Sequence, residues 1–133
     1  STPAVERHRG MMEALKAVPG VQVVASAEAG WFRQKAGEVM DTLLDAHPQV
    51  NLVFAQNDRM AIGAYEKARQ KNRAGQIAFV GVDAVAGGVE SVAEGKLDAT
   101  FIYPTGGDKV IQVAWLYCVA NPISEKIYFL PRW

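Results

Sequence analysis

The sequence predicts a three-layer α/β/α fold in which helices cover both faces of a mostly parallel sheet. Short apolar runs, such as residues 77–82, are typical of strands that are buried on both faces. Segments with helical spacing alternate with these runs, and the connections between them are short. Because 133 residues suffice for one such core and not for two, we expect a single domain over residues 1–133.

The predicted elements of the first half begin with a helix. In order they are a helix over 4–18, a strand over 21–26, a helix over 33–46, a strand over 52–55 and a helix to about 72. Pro19-Gly20 ends the first helix, and His47-Pro48 stops the second, since proline disfavours a helical residue before it. Asp58 stands where the third helix is expected to have its N-cap.

The second half continues the alternation. We expect a strand over 77–82, a helix over 87–94, a strand over 97–103, a helix over 108–120 and a strand over 127–130. Gly95 follows the short helix as its C′ glycine. The helix over 108–120 has a strongly apolar face.

Polar and aromatic side chains follow several of the predicted strands. The candidate site residues are Arg7, Trp31, Asn57, Asp83 and Tyr103. Ligands of open α/β sheets bind at the carboxyl ends of strands, where these residues stand. Arg7 joins the group if the chain enters its first helix from a strand upstream of Ser1.

These side chains suit a neutral, polyhydroxylated ligand. Asn57 and Asp83 can hydrogen-bond vicinal hydroxyls, and the Arg7 guanidinium can bridge two oxygens. Trp31 can lie against the apolar face of a sugar ring.

Each candidate also has a purely structural interpretation. Asp83 could cap the following helix, Asn57 could be a turn residue, and Arg7 could be a solvated charge on a helix. Trp31 and Tyr103 could serve packing alone. Their shared position at strand ends favours a binding site.

Other classes of function find little support. The formal net charge of zero gives no electrostatic footprint for nucleic acid, and no apolar run reaches the length of a membrane span. We find no metal-ligand cluster around His8 or His47, no cofactor motif and no catalytic elbow, so we expect no metal, no cofactor and no enzyme. Cys118 lies in an apolar helix and is interpreted as an inert thiol.

The residues resemble type I periplasmic sugar-binding proteins of the ribose-binding kind. The segments that carry the resemblance are 4–10, 35–48, 53–64, 79–83 and 94–100. It extends over nearly the whole chain but matches only the second of the family's two lobes. It implies that 1–103 and 127–133 form that second lobe and that 104–126 holds a helix that packs on the missing first lobe.

The resemblance also implies roles for the candidate residues. Arg7 matches the sugar-binding arginine, Trp31 the aromatic that stacks on the sugar, and Asn57 and Asp83 the groups that bind ring hydroxyls. Tyr103 stands at a hinge position where ribose binders have a glutamine, so we expect a sugar other than ribose. The implied location is periplasmic or extracytoplasmic.

Residues 99–112 are similar to the periplasmic sensor domains of hybrid two-component histidine kinases, so the implied partners are a sugar, the missing lobe and a membrane kinase. A sugar-uptake protein with a permease partner is the alternative. Two alternatives of other classes are the effector domain of a LacI-type repressor and a small enzyme using Glu28 or Asp83 as a base. An isolated lobe is expected to bind weakly or not at all, and either to self-associate through the apolar face of 108–120 or to hold that helix in a position that departs from the family's.

Overall fold

Three parallel strands form the sheet in the computed structural model, which describes residues 2–103 without the side chain of Thr2. The strands are β1 (Leu52–Phe54), β2 (Ala78–Asp83) and β3 (Ala99–Ile102), and they lie in the order β1-β2-β3. The helices are α1 (Thr2–Leu15), α2 (Arg33–Ala46), α3 (Asp58–Gln70) and α4 (Ala86–Ala93), with a 3₁₀ turn at Ala74–Gln76. The predicted helix over 108–120 and strand over 127–130 lie outside the described residues.

The predicted α/β class with a parallel sheet is confirmed. α2 has the predicted bounds, and the ends of the other described elements, apart from the predicted strand over 21–26, fall within three residues of expectation. No helix in the described part of the chain is both long and apolar enough to cross a bilayer.

The register of the strands determines which residues lie side by side on each face of the sheet. Val53 is opposite Phe79 between β1 and β2, and Gly81 is opposite Thr100 between β2 and β3. Asp58 at the start of α3 contacts the second pair, so α3 lies on the face that carries these residues. α2 packs on α3 from outside, which buries the core on this face of the sheet.

The core is centred on Phe79, which is 1% exposed. The ring of Tyr65 on α3 meets the Phe79 ring edge-on, with centroids 5.6 Å apart. Alanines on α3 and the side chains of Met40 and Leu44 on α2 complete it. Gly63 lets the two helices approach closely, because a methyl group there would overlap the backbone carbonyl of Arg33.

The ends of two helices are fixed by local hydrogen bonds. Asn57, not Asp58, is the N-cap of α3, because Asn57 has the extended conformation and its Oδ1 accepts from the Met60 N–H at 2.8 Å. The predicted cap was therefore one residue too late. Gly95 after α4 has φ +71°, and the bond from the Lys96 N–H to the Ser91 carbonyl completes a Schellman motif, as predicted for a C′ glycine.

The predicted strand over residues 21–26 was wrong. Among the described residues, 22–28 make no backbone hydrogen bond to a neighbouring strand, and Val21, Val23 and Val24 remain 37–44% exposed. β propensity reflects how well a side chain fits a pleated, half-buried surface, and this segment lies on no such surface. Valines alone therefore do not make it a strand.

Candidate functional site

The guanidinium of Arg7 is the centre of the candidate site. Its Nη2 donates to Asp83 Oδ1 at 2.9 Å, and its Nη1 donates to the backbone carbonyl of Gln56. The Arg7 side chain is only 13% exposed, so its interpretation as a solvated charge was wrong. One side chain from α1 thus reaches the residues that follow β1 and end β2.

Two aromatic rings flank the same guanidinium. The Arg7 Cζ lies 4.5 Å from the centroid of the Tyr103 ring and 5.8 Å from that of Trp31. Both distances are within cation–π range. Trp31 also packs against the core, so its packing role is present, whereas Tyr103 is 48% exposed.

Asn57 joins the group through Trp31. Its Nδ2 donates to the Trp31 carbonyl at 3.4 Å while its Oδ1 caps α3, and the residue is 8% exposed. The structural role expected for a corner residue is thus present. An amide NH₂ carries two donors, which leaves one N–H beyond the bond to Trp31.

Asp83 is the last residue of β2 and has an unusual backbone. Its φ is +109°, and that of Ala84 is +51°. The N-cap of α4 is Val85, which makes no side-chain capping bond, so the interpretation of Asp83 as a helix cap was wrong. Its carboxylate pairs with Arg7 instead and remains 32% exposed.

All five predicted site residues are therefore brought together. They come from five separate parts of the chain and meet at one edge of the sheet, around Arg7. Two buried polar atoms at this edge, Arg7 Nε and Gln56 Oε1, have no hydrogen-bond partner within the described residues. Because both atoms are buried, this unmet hydrogen-bonding capacity is internal to the site.

Two neighbouring residues were missed as parts of this region. Gln56 accepts from Arg7 through its carbonyl, and its side-chain Nε2 donates to the Ala4 carbonyl at 3.4 Å. Asp58 is 1% exposed and accepts from Thr100 and the Val85 N–H. Gly81 was the available signal, because glycine in a strand often marks a close approach.

The remaining titratable candidates lie apart from this chemistry. His8 and Glu28 are exposed, and His47 is half-buried. Within residues 2–103, no three His, Cys, Asp or Glu side chains are grouped as metal ligands. Cys118 lies outside the described residues.

The profile of the periplasmic binding protein domain matches residues 1–121. The chain belongs to this family. The ribose import binding proteins RbsB of Salmonella typhimurium and Escherichia coli are 41% and 42% identical to it over 100 residues. Each match covers 75% of this chain and 33% of the relative, so the chain spans about a third of the length of these curated proteins.

Several solved structures of periplasmic binding proteins have a fold similar to that of this chain. The fructose-binding periplasmic domain of a hybrid two-component system has a TM-score of 0.83 and 42% identity, over 97% of this chain and 44% of that one. A periplasmic solute-binding protein of an ABC transporter from Actinobacillus succinogenes, with bound D-allose, has a TM-score of 0.78 and 28% identity, over 94% and 45%. The resemblance to type I periplasmic sugar-binding proteins is confirmed. These relatives are binding proteins, not enzymes.

Proposed function

We propose that this chain is the sugar-binding second lobe of a two-lobe extracytoplasmic receptor and that it contacts a monosaccharide. The observation that carries the proposal is the meeting of Arg7, Trp31, Asn57, Asp83 and Tyr103 at the carboxyl edge of a parallel sheet. Relatives that are 31–42% identical support it, since they include proteins named for ribose, allose and xylitol.

The proposed contacts follow from the chemistry of each group. The Asp83 carboxylate accepts from ring hydroxyls, and the Arg7 guanidinium donates to them through the Nη2 that pairs with Asp83. Trp31 offers its ring face to the C–H face of the sugar. Asn57 donates its second amide N–H while its oxygen continues to cap α3.

The ligand replaces interactions that the site already makes. The Arg7 guanidinium and the Asp83 carboxylate satisfy each other at 2.9 Å. A sugar hydroxyl between them donates to the carboxylate and accepts from the guanidinium, so neither charge is left unpaired. This arrangement favours a neutral ligand with adjacent hydroxyls over a charged one.

The proposed receptor closes two lobes around its sugar and passes the closure to a partner. The proposed second lobe includes residues 1–103; the predicted return of 127–133 to it and the predicted helix within 104–126 against the first lobe lie outside the described residues. The likeness to the fructose-binding domain of a hybrid two-component system favours a membrane sensor kinase as partner. The likeness to ribose import and ABC-transporter proteins favours a permease as the second candidate. With either partner, the proposed location of the chain is extracytoplasmic.

Calorimetry of the protein expressed from the complete reading frame tests the sugar proposal. We expect saturable binding of one sugar in a panel of D-fructose, D-ribose, D-allose and D-xylose. Asp83→Asn removes a charged acceptor and is expected to weaken that binding by about tenfold or more. The control Asp45→Asn changes an exposed carboxylate that pairs with Lys71, the C-cap residue of α3, and is expected to bind as the parent.

Three outcomes would contradict the proposal. They are no binding across the panel, equal affinity of the Asp83 variant, and conversion of a sugar into a product. The last would favour the enzyme hypothesis that uses Glu28 or Asp83 as a base. An upstream helix-turn-helix segment in the reading frame would favour a repressor instead.

A further inference from the structure

We infer that Asp58 and Thr100 are positioning residues that hold the backbone after β2 so that Asp83 faces Arg7. Neither side chain is placed among the sugar contacts. Their effect on sugar recognition rests on the proposed function.

The backbone after β2 needs support because two successive residues have left-handed conformations. Asp83 has φ +109° and Ala84 has φ +51°, and neither is glycine. Residues with side chains rarely adopt such values unless the surrounding structure imposes them. The carboxylate of Asp83 is directed by this turn, so whatever imposes the turn also directs the carboxylate.

A short hydrogen-bonded chain supplies the constraint. The Ala84 N–H donates to Thr100 Oγ1 at 3.2 Å, and the Thr100 hydroxyl donates to Asp58 Oδ1. The next amide, Val85 N–H, donates to Asp58 Oδ2 at 2.9 Å. Both oxygens of one carboxylate therefore hold two consecutive amides of the turn, one directly and one through the hydroxyl.

The carboxylate that anchors this chain is itself fixed. Asp58 is 1% exposed and follows the residue that caps α3. Gly81 and Gly88 border its side chain, and a methyl group at either position would overlap the carboxylate. Asp58 has no room to rotate away, so it ties α3, β3 and the turn before α4 into one unit.

The Thr100 hydroxyl offers the cleanest test because valine has nearly the same shape without a donor or acceptor. In Thr100→Val, the Ala84 amide loses its acceptor and Asp58 loses a donor. Nuclear magnetic resonance of the ligand-free chain is expected to show shifted amide signals for Ala84 and Val85. The Arg7 guanidinium signals are expected to move toward those of Asp83→Asn, in which the ion pair is absent.

Two matched variants separate positioning from general stability. Thr100→Ser keeps the hydroxyl and is expected to restore the parent signals of Ala84 and Arg7. Thr42→Val makes the same substitution on the exposed side of α2, where Oγ1 bonds the Glu38 carbonyl at 3.4 Å, and is expected to leave those signals unchanged. Parent-like Arg7 signals in Thr100→Val would overturn the inference, as would failure of Thr100→Ser to restore them.

A binding measurement tests separately whether the positioning of Asp83 affects sugar recognition. If a sugar binds, Thr100→Val is expected to weaken binding about tenfold, the size of one lost hydrogen bond, and Thr100→Ser to restore it. Unchanged affinity in Thr100→Val would overturn the link to recognition. If no sugar binds while the Arg7 signals respond as described, the proposed function fails and the positioning role stands.

Discussion

The packed unit of α2, α3 and β2 (residues 33–83) differs sharply from the amino-terminal segment (residues 2–28). In the packed unit, Ala61 and Ala68 are completely buried and Phe79 is 1% exposed. In the amino-terminal segment, Val5 is 62% exposed and Val18 is 48% exposed. The hydrogen bonds that join the segment to the rest of the described chain all involve Arg7 or Gln56.

This difference in burial indicates that the packed unit mainly provides stability and that the amino-terminal segment mainly contributes to binding. Apolar burial is the main favourable term in folding, so the packed unit supplies most of the stability of the described residues. The amino-terminal segment buries little and contributes Arg7, whose polar contacts form the centre of the candidate site. Substitutions of buried apolar residues in the packed unit should therefore change stability, whereas substitutions at Arg7 and at its partner Asp83 should change binding.

Truncation of Phe79 is the largest expected effect. Phe79→Ala removes a fully buried ring and its edge contact with Tyr65, so the free energy of unfolding should fall by about 3–5 kcal/mol. Urea denaturation followed by circular dichroism measures it. The control Phe101→Ala removes a ring that is 59% exposed and should cost well under half as much. Equal losses would contradict the view that stability is concentrated around Phe79.

Two glycines provide a matched pair across the regions. Gly63→Ala places a methyl group against the Arg33 carbonyl and forces α2 and α3 apart, so unfolding should become easier by about 1–3 kcal/mol. Gly10→Ala in α1 meets nothing within 4 Å and should raise helix stability by up to about 1 kcal/mol. Thermal unfolding midpoints of the two variants should move in opposite directions. A loss at Gly10 as large as that at Gly63 would show that the amino-terminal segment is packed as tightly.

The ion pair of Arg33 and Glu66 gives the smallest effect, and it depends on pH. A hydrogen bond from the Arg33 guanidinium, with Nε 2.9 Å from Glu66 Oε2, lowers the pKa of Glu66 below its usual value. A lowered pKa in the folded state adds stability at pH values above the pKa of the unfolded chain. That stability is lost as the pH falls through the folded value.

Replacing Glu66 tests this pH dependence. Because the pair is half-exposed, its contribution at pH 6 should be about 0.2–1 kcal/mol. The parent and Glu66→Gln should therefore differ in urea denaturation at pH 6 and converge at pH 3. Glu13→Gln, in an exposed pair with Lys16 on α1, is the control and should have a smaller effect. A difference that grows on acidification would contradict the assignment.

The spacing of apolar residues predicted most of the described helices and strands, because the apolar residues in these elements are largely the ones that are buried. α2 begins and ends where proposed, and β2 was recognisable as an apolar run buried between neighbours. The predicted strand over 21–26 was wrong because its valines would fit a sheet surface, but no such surface lies beside them among the described residues. The predicted helix over 108–120 and its proposed role in self-association stay predictions, because they lie outside the described residues.

The members of the candidate site could be predicted, but their mutual contacts could not. Strand ends fixed the positions of Asn57 and Asp83, yet the Arg7–Asp83 pair joins residues 76 apart and depends on the placement of α1. The role of Asp58 could not be predicted either, because an acidic residue at the start of a helix is also typical of an N-cap. Its burial, its bonds with Thr100 and Val85 and its enclosure by two glycines distinguish it as a buried anchor.

The brevity of β1 has a consequence for the solubility of this sheet. β1 has three residues, and its only strand partner among the described residues is β2, so its outer side offers few free backbone groups. A longer open edge would be a template for strands of other molecules, whereas three residues give an incoming strand little to hold. Leu52–Phe54 is therefore a poor seed for aggregation despite its wholly apolar sequence.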